Sequence, residues 1–253
     1  MFLNGIMPEK GERCDTLSGD FVIFQPEDGQ RYSTDDFMTA WLAVTEFCAQ
    51  PPLRFLDLGS GLCSVPMMVL WKFRNLSGIG IELRRNRFLL AQKSLSANGL
   101  TDRFELLHGD LRGLSLDEKF ELITSTPPYY TKAEGLLSEN CDKAAARFEL
   151  NGSIENYCEA ASEHLADGGR FITVYPYLYR SRVYEAARLF GMFPRRRVDF
   201  LPREGKPPLI SIFSIGFGST DERLEQLTMR DQSGNHTEEY NNARILCGFK
   251  PKR

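Results

Sequence analysis

The sequence predicts an α/β fold: a seven-stranded, mostly parallel sheet with helices on both faces and the last strand antiparallel. Three observations predict it. Short apolar runs of strand length alternate with longer helical stretches from residue 53 onward. Small, turn-forming residues punctuate the strand ends, as in Gly59-Ser60-Gly61. Two late apolar runs are joined by Pro202-Arg203-Glu204-Gly205-Lys206-Pro207-Pro208, a connection that makes its strands antiparallel at the turn.

Residues 1–30 read as an N-terminal extension packed on the domain, with Phe21 to Phe24 as one short strand; residues 31–253 read as the domain itself. Ser33 or Thr34 caps a first helix through Trp41, Leu42, Val44 and Phe47, which ends at Gln50-Pro51-Pro52. Leu53 to Leu58 is the first buried strand, followed by an apolar helix over 63–73. Ser77 to Ile81 is the second strand, ended by Glu82, and its helix leaves at Asn98-Gly99, a good left-handed terminator. Phe104 to Leu107 and Phe120 to Thr124 are the third and fourth strands. Beyond a polar stretch over 132–144 and a helical turn over 145–150, a helix over 153–165 precedes the fifth strand, Arg170 to Tyr175. A helix over 179–190, the strands Arg196 to Leu201 and Leu209 to Phe217, a loop over 221–236 and a closing apolar stretch over 238–249 complete the chain.

Composition narrows the function classes. The 253 residues are 42% hydrophobic and 26% charged, an ordinary globular balance. No apolar run approaches the roughly 20 residues that span a bilayer. Met1 to Lys10 lacks a basic region followed by an apolar one, which argues against a signal peptide and for a cytoplasmic protein. Six scattered cysteines without a C-x-x-C pair, and three histidines apart from them, support neither a disulfide framework nor a metal site. The formal charge of −3 does not announce a nucleic-acid binder, although Arg180, Arg182, Arg188, Arg195, Arg196, Arg197, Arg203 and Lys206 crowd one region.

The strand ends carry the chemistry. Asp57-Leu58-Gly59-Ser60-Gly61 forms a strand-to-helix turn where the backbone can approach a ligand; Glu82 ends the second strand and Asp110 follows the third. This Rossmann-like set fits a nucleoside-containing cofactor. A dinucleotide would want a third glycine under its pyrophosphate, where this chain has Ser64. S-adenosylmethionine has no phosphate and carries a sulfonium, so the missing glycine matters less to it. After the fourth strand stands Ser125-Thr126-Pro127-Pro128-Tyr129-Tyr130. Its prolines stiffen a loop that presents carbonyls, a hydroxyl and aromatic faces, which suits a flat heterocycle with an exocyclic amine.

In these motifs the chain resembles the class I S-adenosylmethionine-dependent methyltransferases, and more narrowly the bacterial tRNA1(Val) adenine-N6 methyltransferase family. The narrower likeness rests on Arg31-Tyr32-Ser33-Thr34-Asp35 before Trp41, Ala146-Arg147-Phe148-Glu149, Gly168-Gly169-Arg170-Phe171, Lys206-Pro207-Pro208 and Thr237-Glu238-Glu239-Tyr240. Thr126 stands where that family usually has asparagine, and Cys63 where the cofactor loop usually has its third glycine. The resemblance implies methyl transfer to an exocyclic amine, with N6 of adenine in tRNA as the foremost substrate. It implies catalytic roles for Thr126, Pro127, Pro128 and Tyr129, and cofactor contacts by Thr34, Asp57, Gly59, Ser60, Gly61, Glu82, Asp110 and Leu111. Tyr130, Arg147, Arg195, Arg196, Arg197 and Lys206 are the expected substrate contacts. The expected partner is nucleic acid, tRNA foremost, without metal or membrane, and the sequence leaves a protein partner open. The alternatives are another amine (rRNA or DNA adenine, cytosine N4, protein glutamine) or a weakened methyltransferase fold that binds RNA or a protein.

Overall fold

The computed structural model describes residues 5–129, 152–218 and 221–252. The expectations for Tyr130, Arg147, the polar stretch over 132–144 and the helical turn over 145–150 lie outside the described residues.

A short antiparallel hairpin opens the chain, β1 (Glu12–Thr16) with β2 (Val22–Pro26). Only β2 was legible as a strand, because β1 is polar and half-exposed. The hairpin is held to the domain by side chains of one helix. Ser94 Oγ accepts from the Phe24 amide at 2.9 Å, and Asn98 Oδ1 accepts from the Val22 amide at 2.9 Å.

The domain is built on one eight-stranded sheet. In chain order its strands are β3 (Arg54–Leu58), β4 (Ser77–Glu82), β5 (Phe104–His108), β6 (Phe120–Ser125), β7 (Leu165–Pro176), β8 (Met192–Leu201), β9 (Ile210–Phe217) and β10 (Arg223–Thr228). They lie in the order β10-β8-β9-β7-β6-β3-β4-β5. Strands β5, β4, β3, β6 and β7 are mutually parallel, and β9 is antiparallel to both neighbours. The expected seven strands and their antiparallel last member are therefore present. One segment differs: the loop expected over 221–236 contains β10, which pairs in parallel with β8 at the sheet edge. Its sequence hides this because an edge strand exposes most of its side chains, and here only Leu227 is buried.

Helices cover both faces, each with its own apolar layer. On one side lie α1 (Thr34–Phe47), α2 (Ser64–Lys72), α3 (Arg85–Ala97) and α6 (Glu238–Leu246), whose Met38, Leu42, Met67, Leu95 and Tyr240 share one cluster. On the other lie α4 (Ile154–His164) and α5 (Ser181–Leu189), whose Ile154, Tyr157, Val183 and Ala187 pack with Leu58, Phe120, Phe171 and Phe213. The strands alternate which side chain enters which layer, so Phe55 joins the first cluster and Leu56 the second. Burying the parallel strands on both faces explains their continuous apolar runs.

The start of α1 bears on everything that follows. Ser33 caps it: its hydroxyl accepts from the Asp35 amide at 3.3 Å, while Asp36 Oδ2 accepts from the Ser33 amide at 2.7 Å. This reciprocal box fixes the first turn and aims Asp35 and Asp36 toward the sheet's carboxyl edge.

Candidate active site

The carboxyl ends of β3, β4, β5 and β6 open into a cavity of about 530 Å³. It lies where the chain leaves β3 toward β4 on one side and β6 on the other, the reversal point at which open α/β sheets bind ligands. Thr34, Gly59, Ser60, Gly61, Glu82, Asp110, Leu111, Thr126, Pro127, Pro128 and Tyr129 all line it. Asp57 stands just beneath, buried at 3% exposure.

The glycine turn is shaped by sterics. Gly59 and Gly61 have φ of 72° and 57°, the left-handed region that a side chain disfavours. A Cβ on Gly59 would also come within 2.7 Å of the Tyr157 hydroxyl. Cys63, next in the turn, holds φ 59° as a buried non-glycine residue. The Gly61 amide, which would face a pyrophosphate in a dinucleotide site, instead donates to Glu82 Oε2 at 2.7 Å. Glu82 Oε1 accepts from the Arg84 amide at 2.8 Å. Each carboxylate oxygen keeps a second lone pair, so Glu82 can still accept from a diol.

Acidic groups surround this turn. Burial pushes the Asp57 carboxyl up to about 7; Thr124 and Ser60 hydrogen bonds oppose the rise, while Asp36 and Glu82 add to it. Burial likewise raises Asp36, against hydrogen bonds from Ser33 and Ser64 and the nearby Arg87. Such a site repels a pyrophosphate and favours a cationic ligand. Asp110 is held low by Arg112, whose guanidinium grips both carboxylate oxygens, at 3.0 Å and 2.6 Å. Any ligand amine at Asp110 must use its remaining lone pairs. The lack of room for a Cβ at Gly59, the acids and the absence of a free phosphate-binding amide at Gly61 fit S-adenosylmethionine.

Next to β3 in the sheet, β6 ends at Ser125 and the Thr126-Pro127-Pro128-Tyr129 loop leaves it. Ser125 is anchored to Thr173 of β7 through their hydroxyls at 2.9 Å. Thr126 makes no side-chain hydrogen bond to any described residue, so its hydroxyl is available to a ligand. The Tyr129 hydroxyl donates to Asp35 Oδ2 at 2.8 Å, and its ring meets Tyr175 edge-on with centroids 5.5 Å apart.

The expected basic residues divide. Lys206 is exposed in the β8–β9 turn, three residues before Leu209 of the cavity wall in the chain, and does not itself line the cavity. Arg196 lies within β8 and is paired with Glu46 at 3.0 Å and Glu225 at 2.9 Å. Arg197 is paired with Asp199 at 3.0 Å and donates to the Tyr184 hydroxyl at 2.7 Å. Arg195 donates to the Phe217 carbonyl at 3.2 Å. None of these three lines the cavity. The wall also contains residues to which the sequence had assigned no contact: Asp35, Asp36, Ser64, Arg87 and Tyr157. The doubled acid after the helix cap was the one visible signal for Asp35 and Asp36.

Among solved structures, a predicted O-methyltransferase from Agrobacterium tumefaciens superposes with a TM-score of 0.66 at 18% identity, over 85% of this chain and 98% of that one. A methyltransferase from Pyrococcus furiosus gives 0.54 at 18% identity, over 76% and 86%. The chain has the class I methyltransferase fold. In sequence it is 25% identical over 224 residues to a tRNA1(Val) (adenine(37)-N6)-methyltransferase of Bacteroides fragilis, covering 87% of this chain and 91% of that protein. The protein of the same description from Actinobacillus pleuropneumoniae is 23% identical over 221 residues, with the same coverage. No protein-family model matches the chain. Fold and sequence likeness together support a methyltransferase that uses S-adenosylmethionine. Among the described residues no cluster of His, Cys, Asp and Glu could hold a metal ion, and no helix is long and apolar enough to cross a membrane.

Proposed function

We propose that the protein methylates the exocyclic N6 amine of an adenine in tRNA. The observation that carries this reading is the Thr126-Pro127-Pro128-Tyr129 loop, which lines the same cavity as the glycine turn. The relatives named as tRNA1(Val) (adenine(37)-N6)-methyltransferases support the choice of base and RNA.

When bound, S-adenosylmethionine supplies a methyl group on a sulfonium sulfur. The chain's own part is to place the amine. An exocyclic amine is a poor nucleophile because its lone pair is delocalised into the ring. The Pro127 carbonyl and the Thr126 hydroxyl each accept one of its N–H groups, which favours a pyramidal nitrogen. This is preorganised electrostatics with acceptors in place of donors. The Tyr129 ring supports the base by stacking, a contact worth about 1–3 kcal/mol in single-strand recognition. Asp57, Glu82 and Asp36 offset positive charge near the glycine turn. No base with a tuned pKa is needed at the start, since the amine proton leaves after the methyl arrives. The adenine must be unstacked from its RNA to enter, and the exposed Lys206 is our candidate for a contact to an RNA phosphate.

The test offers labelled S-adenosylmethionine with tRNA, rRNA, DNA and protein in parallel. The reading expects label in tRNA alone. Label confined to DNA or protein keeps the chemistry and overturns the substrate.

A further inference from the structure

Besides the Thr126 hydroxyl, a second hydroxyl in the cavity has no hydrogen-bond partner among the described residues. Tyr157, on the first turn of α4, is 7% exposed and lines the cavity. Its ring packs in the apolar layer with Leu58 and Ile81. Its hydroxyl reaches the glycine turn so closely that a Cβ on Gly59 would lie 2.7 Å from the oxygen and 3.2 Å from the ring edge. That hydroxyl makes no hydrogen bond to any described residue. The acidic groups nearby are engaged: Glu82 by the Gly61 and Arg84 amides, Asp110 by Arg112. Burial pushes the phenol above its ordinary pKa, so it stays protonated and able to donate.

The residue is buried as a whole, but its oxygen is not among the buried side-chain atoms without a partner, so the hydroxyl opens to the cavity. A donor open to the cavity over Gly59 is placed to meet an acceptor that enters there. We infer that Tyr157 is a cofactor-binding residue, its hydroxyl donating to an oxygen of the ligand that lies over Gly59. The inference rests on reading this cavity as the S-adenosylmethionine site. The cofactor offers oxygens at its carboxylate and its ribose, and both persist in S-adenosylhomocysteine.

The test is Tyr157→Phe, which removes the hydroxyl and keeps the ring. Calorimetric titration with S-adenosylmethionine and with S-adenosylhomocysteine is paired with thermal unfolding of the ligand-free protein. The expected result is about ten-fold weaker binding of both ligands, the size of one net hydrogen bond, with a Tm that is unchanged or raised. A purely structural tyrosine would give the reverse pattern, a lowered Tm with unchanged affinity, and that result overturns the inference. Unchanged affinity with unchanged Tm overturns it as well. If the wild type binds neither ligand, the cofactor reading itself falls, and this is seen without the variant.

Discussion

Tyr129 and Asp35 stand 94 residues apart in the chain and share a hydrogen bond of 2.8 Å. It joins the loop after β6 to the capped start of α1. The next residue, Asp36, accepts from Ser64 at 2.9 Å at the start of α2. One helical turn thus braces both walls of the cavity, the glycine turn and the Pro-Pro-Tyr loop. A hydrogen bond to a carboxylate contributes about 1.5–3 kcal/mol. Tyr129→Phe and Asp35→Ala should each lower kcat/KM for methyl transfer by about ten-fold or more. The double variant should be little worse than either single one, since both remove the same interaction. Tyr129→Ala, which also removes the stacking ring, should cost more than either. Additive losses in the double-variant cycle would show that the pair does not act as a unit.

Thr126 provides a shorter acceptor than an asparagine would. Its hydroxyl is free of side-chain partners among the described residues, so it can accept from an amine, though it can also turn to nearby backbone. Thr126→Val keeps the shape and removes the oxygen. It should reduce kcat by at least ten-fold with little change in cofactor affinity, while Thr126→Asn should retain or raise kcat. Equal rates for Thr126→Val and wild type would remove Thr126 from the acceptor set.

Asp57 makes stability depend on pH. Its folded carboxyl titrates near 7, well above its ordinary value of 3.8, with burial as the main cause. Between those values the folded state holds a proton that the unfolded chain has released, so stability falls as pH rises from 4 to 7 and then levels off. The penalty is absent below the unfolded pKa and complete above the folded one. Asp57→Asn cannot ionise and should lack this fall. Denaturant titrations at pH 5 and pH 8 would compare the two proteins, and parallel curves would contradict the assignment.

Cys63 sits in a backbone conformation that suits glycine, φ 59° and ψ 26°, as the cap of α2. A β-branched residue is a true outlier there. Cys63→Val should destabilise by about 1–3 kcal/mol. Cys63→Gly should be close to neutral, with relief of strain set against a lost buried side chain. Equilibrium unfolding distinguishes the two, and a stable Cys63→Val protein would argue that the turn can rearrange.

The arginines of β8 and the lysine of the β8–β9 turn should behave differently. Arg196 bridges Glu46 and Glu225, so Arg196→Ala should lower Tm by leaving two carboxylates partly unpaired. Lys206→Ala should leave Tm unchanged and reduce the salt dependence of tRNA binding by about one phosphate contact. A reduced salt slope in Arg196→Ala with unchanged Tm would return that residue to the RNA surface.

The fold was legible because its signals are local. Each parallel strand is buried on both sides and writes a continuous apolar run, as in Arg54–Leu58 and Ser77–Glu82. The edge strand β10 was hidden because Arg223–Thr228 carries one buried side chain and depends on pairing with β8. The residues at strand ends could be placed around one cavity because sheet topology alone brings those ends together. Side-chain partners were not legible. The β8 arginines read as a basic run, yet their acids come from α1, β10 and β8 itself, and no charge count along the chain could pair them. Tyr157 carried no signal in the sequence, because its place over Gly59 follows from how α4 packs on the sheet.

The most direct measurement is nucleoside mass spectrometry on tRNA incubated with S-adenosylmethionine and either the wild type or Tyr129→Ala. The account predicts N6-methyladenosine formed by the wild type and lost in the variant. A wild type that binds S-adenosylmethionine but leaves no N6-methyladenosine in tRNA would contradict it.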